Sequence, residues 1–210
     1  MASPAPMDIC EPVAESAEEW TTVHHRGRRT KTHRPIPLRS REAALTSQPL
    51  PSSLSVADIE REHRRIADQW KTSACRRQLE EIILSRICNS EISEAICLGL
   101  GSFDPDNGSW EAKRTAHVQL AAFLYIADML RPPGSSAIPC IFQEPFFNSA
   151  DKAFIRSLGH EVVDSPEGFE RVGASTFVFG VHLYRDIYLQ AIASHIPRIF
   201  VGTPFHIWQV

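Results

Sequence analysis

Most of the short motifs that announce a chemistry are missing from this 210-residue chain. Its five cysteines, Cys10, Cys75, Cys88, Cys97 and Cys140, form no CxxC pair and are odd in number. That pattern fits reduced intracellular thiols and excludes a disulfide framework. There is no GxSxG elbow for a hydrolase serine and no HExxH, and the Cys and His spacings match no zinc site. The amino terminus has no basic region leading into an apolar stretch, so no secretory signal is expected. Inside the domain, the charge-free run from Thr115 to Ala127 has 13 residues, short of the roughly 20 that cross a bilayer. Net charge is low as well: -3, with a pI near 6.3. Bulk attraction to nucleic acid or an anionic membrane is excluded, and any such affinity must be local.

What is present falls into two parts. Residues 1–54 hold seven of the 15 prolines and few large aliphatics, too little apolar surface to offset ordering entropy, and are expected to be disordered. Asp8, Glu11, Glu15, Glu18 and Glu19 form an acidic block. Arg26, Arg28, Arg29, Lys31, Arg34, Arg39 and Arg41 follow with no acid between them. Such a basic segment suits a nuclear address or a phosphate-contacting arm, so nucleic-acid contact is expected only through Arg26, Arg28, Arg29, Lys31 and Arg34. With no folded DNA-reading module beside it, an address or partner-binding role is the better reading. The expected location is cytoplasm or nucleus.

Residues 55–210 read as one α/β domain, with a helical lead-in over 55–94. Ser55 and Asp58 suit an N-cap and its N3 partner, and Val56, Ile59, Ile66 and Trp70 mark a helical stripe. A second helix is expected over Arg76–Cys88, with Leu79, Ile82, Ile83 and Ile87 on one face. From 95 onward, apolar runs and helical patterns alternate: strand 95–100, helix 111–131, strand 138–142, helix 149–158, strand 160–163, strand 175–181, helix 184–195 and strand 198–202. Continuous apolar strands separated by helices imply a mainly parallel sheet covered on both faces, a Rossmann-like open α/β fold. The breakers "RPPGSS" and "DSPEG" fall between elements.

In such a sheet ligands sit at the carboxyl ends of the strands. "CLGLGSF" puts Gly99, Gly101 and Ser102 there, and "CIFQEP" puts Glu144 at the end of the next strand, where an acid bonds ribose hydroxyls. His182 follows the strand "TFVFGV" at another carboxyl end, where a base or a ligand contact belongs, although a histidine capping or bonding a loop carbonyl is the better account of that place. These five residues make a hypothetical pocket for a nucleotide or S-adenosylmethionine, although no cofactor is specified. The loop "GLGSFDPDNGSW" lacks a third glycine, and a strand end that needs glycine for its backbone fits Gly99–Gly101 equally well. Cys97 alternates within its strand as a small core residue.

Taken in order, "EEWTTVHHRGRR", "CLGLGSF", "HVQLAAFLYI", "IFQEPFFNSADKAFIRSLGHEVV" and "TFVFGVHLYRDIYLQAI" resemble the SRR-like family, the Sensitivity to Red Light Reduced-like proteins. The resemblance spans about residues 80–203, with the Trp20–Arg29 motif as separate support. Two departures are visible: Gln143-Glu144 where an acid commonly stands directly before the proline turn, and Val181 where proline commonly precedes the histidine. The resemblance implies a regulatory, non-catalytic protein with a protein partner or small effector. It links the chain to light signalling and circadian clock input, as in plants, or to haem-related regulation, as in animal relatives. No cysteine precedes a proline here, so the short Cys-Pro haem-regulatory motif is absent. A nucleotide- or S-adenosylmethionine-dependent enzyme of methyltransferase type is the alternative.

Overall fold

The computed structural model describes residues 54–86, 91–132 and 134–204. The chain divides into Met1–Glu42 and Ala43–Val210. All of the first unit lies outside the described residues, and with it the expected disorder, the acidic block and the basic segment.

The elements of the second unit are α1 (Val56–Lys71), α2 (Ala74–Arg86), β1 (Glu94–Leu98), α3 (Trp110–Met129), β2 (Cys140–Gln143), α4 (Ser149–Ser157), β3 (Glu161–Val162), α5 (Glu167–Glu170), β4 (Thr176–Gly180), α6 (Arg185–Ala191) and β5 (Ile199–Gly202). All strand pairs are parallel, in the order β3-β2-β1-β4-β5. The sheet is therefore the expected α/β type, and its order reverses beside β1.

The apolar strands follow from cover on both faces. In β1, Ala95 and Cys97 point into the larger core with Leu120, Phe123, Phe142 and Phe177, while Ile96 and Leu98 point into the smaller one with Val178, Leu183 and Ala191. Alternation therefore disappears from the sequence, because neither face needs polar side chains. Burial pushes the Cys97 thiol well above its ordinary pKa, as befits a core residue.

The helical lead-in is integral to the core. Ser55 accepts the Asp58 N–H at 3.2 Å and Asp58 Oδ2 accepts the Ser55 N–H at 3.2 Å, closing the expected capping box. Ile59, Ile66 and Trp70 are buried, and Glu62 pairs with Lys113 of α3 at 2.6 Å. By contrast, α2 buries only Ile83, and Ile82 is 59% exposed. Ile82 sits one position, about 100°, off the face that meets the core, so the expected four-residue stripe is narrower. Ile87 lies outside the described residues. One element went unexpected: α5, a single turn that begins in the segment read as a breaker, residues 164–168, and runs on to Glu170. It is secured by Gln143, whose Oε1 accepts the Gly168 N–H at 2.7 Å.

Candidate functional site

β1 ends at Leu98, two residues before the expected end, because Gly99 and Gly101 turn the chain with φ of 70° and 85°. Side-chain-bearing residues are strained in that left-handed region. Space is also short at Gly99. A Cβ there would lie 2.6 Å from Leu183 Cδ2, and one on Gly180 would lie 2.5 Å from Leu183 Cδ1. Leu183, 6% exposed, thus fills the room above the ends of β1 and β4. This is the switch point at which sheets of this order receive ligands.

The N–H groups of the glycine turn are committed as well. Gly99 donates to the Gln143 carbonyl at 3.1 Å. Gly101 donates to Glu144 Oε2 at 2.7 Å, Phe103 to Asp151 Oδ1 at 3.2 Å, and Asp104 to Ser102 Oγ at 2.9 Å. The Ser102 hydroxyl donates in turn to Asp151 Oδ2 at 2.7 Å. A phosphate-cradling turn presents such donors to its anion; here two protein carboxylates have taken them. The next helix amino terminus is no substitute, since α3 starts at Trp110 under its own N-cap, Ser109.

Glu144 does a second task. Its Oε1 accepts the Phe146 N–H at 2.9 Å, and its carbonyl accepts the Phe147 N–H at 3.1 Å. Burial raises its pKa, while the N–H bonds from Phe146 and Gly101 oppose that rise. Asp151 is fully buried. It is the N3 residue of α4, accepting the Asn148 N–H at 3.1 Å while Asn148 caps it in return. Its pKa is raised by burial too, against the bonds from Ser102, Asn148 and Phe103.

His182 is exposed and holds φ of 66°, the one non-glycine residue in the left-handed region among the described residues. That turn directs Leu183 back over the sheet and starts α6 at Arg185, with Tyr184 in the N-cap position. Of the five expected site residues, Gly101 and Glu144 are joined directly, Ser102 is joined to Asp151, and Gly99 lies beneath Leu183. No hydrogen bond links the His182 ring to Gly101, Ser102 or Glu144.

Asp151 and Leu183 were missed from the sequence. Asn148 followed at the third position by Asp151 carries a capping-box spacing that could have revealed the acid. A second polar cluster was missed too: His63 of α1 faces His117 of α3, Nδ1 to Nδ1 at 3.4 Å, with Phe103 4.8 Å from the His117 ring. His117 is fully buried and its Nε2 has no partner. Burial drives the pKa of His63 down to about 4 and that of His117 down to about 3, with further repulsion on His117 from His63, Lys113 and Arg65. Both rings are neutral near pH 7. Among the described residues, no group of three or more His, Cys, Asp or Glu is arranged to hold a metal. None of the described helices is long and apolar enough to cross a membrane.

The SRR1 domain family model matches residues 75–210. The chain belongs to that family. The match takes in every strand, the glycine turn, Glu144, Asp151 and the β4–α6 turn, whereas α1 precedes it. No curated protein matches the chain, and no solved structure does.

Proposed function

We propose that this SRR1 domain protein is regulatory and non-catalytic, acting by binding a protein partner or small effector at the carboxyl edge of its sheet. By family resemblance its setting is circadian clock input and light signalling, or haem-related regulation. Cytoplasm and nucleus are its proposed locations, with the basic segment as address. The observation that carries the reading is the use of the turn's own donors: Glu144 and Asp151 hold the N–H groups that a nucleotide phosphate would require. An approaching anion meets two buried acids in place of a positive cradle.

The competing reading is an enzyme using S-adenosylmethionine or a nucleotide, and it draws on the strand order and on Glu144 at the end of β2. Glu144→Gln is a poor test of it, because the amide cannot reproduce two accepted N–H bonds and so disturbs the turn itself. A thermal-shift screen of the full chain against S-adenosylmethionine, S-adenosylhomocysteine, nucleotides, dinucleotides and haem separates the readings. Ligand at about 100 times its Kd stabilises the folded state by about 2.7 kcal/mol, enough to move the midpoint by several degrees. No shift with S-adenosylmethionine, nucleotides or dinucleotides is expected. A shift accompanied by turnover, both lost in a folded Gly101→Val variant, overturns the regulatory reading.

A further inference from the structure

The two side edges of the sheet are unlike. β3 forms one of them with two residues, Glu161 and Val162, and the Glu161 carboxylate is paired with Arg171 at 2.8 Å. A short, charged edge strand is poorly disposed to take on another strand. β5 forms the other edge at twice that length, Ile199–Gly202, and each of its residues is partly exposed. Its inner side pairs with β4, and among the described residues no strand pairs with its outer side. Between Pro197 and Pro204 the only charge is Arg198.

Apolar surface gathers at the same edge. Ile196, two residues ahead of Arg198, is 80% exposed, the highest value for a large apolar residue among the described residues. The Tyr188 ring of α6 meets the Phe200 ring of β5 with centres 4.8 Å apart, and Leu189, the next residue of α6, is 44% exposed. The exposed charges in the first turn of α6, Arg185 and Asp186, are of opposite sign. Free backbone groups flanked by apolar side chains suit a further strand better than a charged ligand.

The strand is also complementary to itself. Ile199 and Val201 pack toward the larger core and Phe200 toward the smaller. A continuous sheet keeps each core on its own face, so antiparallel pairing of β5 with a second β5 must set residues of the same face opposite one another. Centred on Phe200, the pairing puts that residue opposite itself across a twofold axis and Ile199 opposite Val201 on either side. The two Arg198 residues then fall four positions apart along the pair, about 14 Å, beyond the screening length of about 8 Å at physiological salt. Each comes opposite the copy's Gly202, over which the copy's Phe200 ring leans, a surface that a guanidinium can cover.

We infer that β5 is the contact through which two copies of this chain form a symmetric dimer, joining their sheets edge to edge. The carboxyl ends of the two sheets point in opposite directions, and each copy keeps its own glycine turn. The contact uses a side of the sheet that the regulatory reading leaves free.

The test is sedimentation velocity of the full chain together with amide hydrogen exchange, at concentrations from about 1 to 100 µM. The dimer fraction should rise over that range, and exchange within 199–202 should slow in step with it as the outer amides of β5 gain partners. Ile196→Lys alters an exposed side chain, so it should leave the thermal midpoint nearly unchanged while weakening the pairing about tenfold. Ile199→Lys puts a charge on the strand itself and should abolish it. A chain that stays monomeric throughout overturns the inference, and protection of 199–202 in that monomer would put another segment of the same chain on the edge. A dimer that forms with no change in exchange at 199–202, or one that both variants leave intact, overturns it too. None of those results touches the regulatory reading, which falls only to ligand-dependent turnover.

Discussion

Acidification should weaken this fold through the His63–His117 pair well before the carboxylates titrate. Both histidines have folded-state pKa values below the ordinary 6.5, at about 4 and about 3. A depressed pKa means that the unfolded chain takes up protons first. The contribution is complete above pH 6.5 and is lost as pH falls toward the folded values. At about pH 5 an unfolded histidine is about 1.5 pH units below its pKa, whereas the folded rings remain almost unprotonated. With about 1.36 kcal/mol per unit, each ring costs about 2 kcal/mol relative to pH 7.5. His63 is only half-buried, so about 3 kcal/mol for the pair is the working figure. His160, also lowered by burial, adds in the same direction. Glu144 and Asp151, whose pKa values are raised, act with opposite sign in the carboxylate range. Urea denaturation at pH 7.5, 6 and 5 reads the loss as a falling midpoint at constant slope. His63→Phe with His117→Phe keeps ring packing and removes both titrations, so most of the pH dependence should vanish. A midpoint that does not change between pH 7.5 and 5, or a double variant as acid-sensitive as the parent, refutes the reasoning.

Gly99→Ala should destabilise by about 1–3 kcal/mol through positive φ and the approach of Leu183. Leu183→Ala should cost about 2–5 kcal/mol by leaving a cavity. Combined, the two should cost less than their sum, and strict additivity in a denaturation cycle would show that they do not share one space. Asp151→Ala strips the partners of Ser102, Phe103 and Asn148. It should cost about 3–5 kcal/mol, with faster amide exchange at Phe103; unchanged exchange would mean that the turn does not depend on it. A chain beginning at residue 75, where the family match starts, should lose its sharp thermal transition and bind a hydrophobic dye, because α1 covers Phe154 and His117. A cooperative transition at the full-length midpoint would show α1 to be dispensable.

The alternation of apolar runs and helical patterns was enough to read a parallel sheet, because strands covered on both faces have no polar side to hide them. The Ser55–Asp58 cap was legible for a similar reason, being a local bond between residues three apart. Gly99, Gly101, Ser102 and Glu144 were legible as strand-end residues, yet their partners were not. Whether Gly101 offers its N–H outward or spends it on Glu144 depends on a contact across 43 positions. Leu183 read as one more apolar residue after a strand. Only the left-handed turn at His182 sends it back over Gly180 and Gly99. Ile82 illustrates the opposite limit, since an apolar residue beside the core-facing stripe of α2 has no neighbour to bury it.

The central place of β1 has a consequence for the order of events during synthesis. β1 lies between β2 and β4, and its β4 neighbour, which pairs Thr176 with Glu94, stands 82 positions further along the chain. At about 5–20 residues per second, a ribosome takes roughly 4–16 s to deliver it. Throughout that interval the nascent "AICL" segment has at least one unpaired edge and one uncovered face. Slow, non-local closure of this kind makes half-made chains adhesive. The yield of folded protein in cells should therefore respond to chaperone supply more strongly than its final stability suggests.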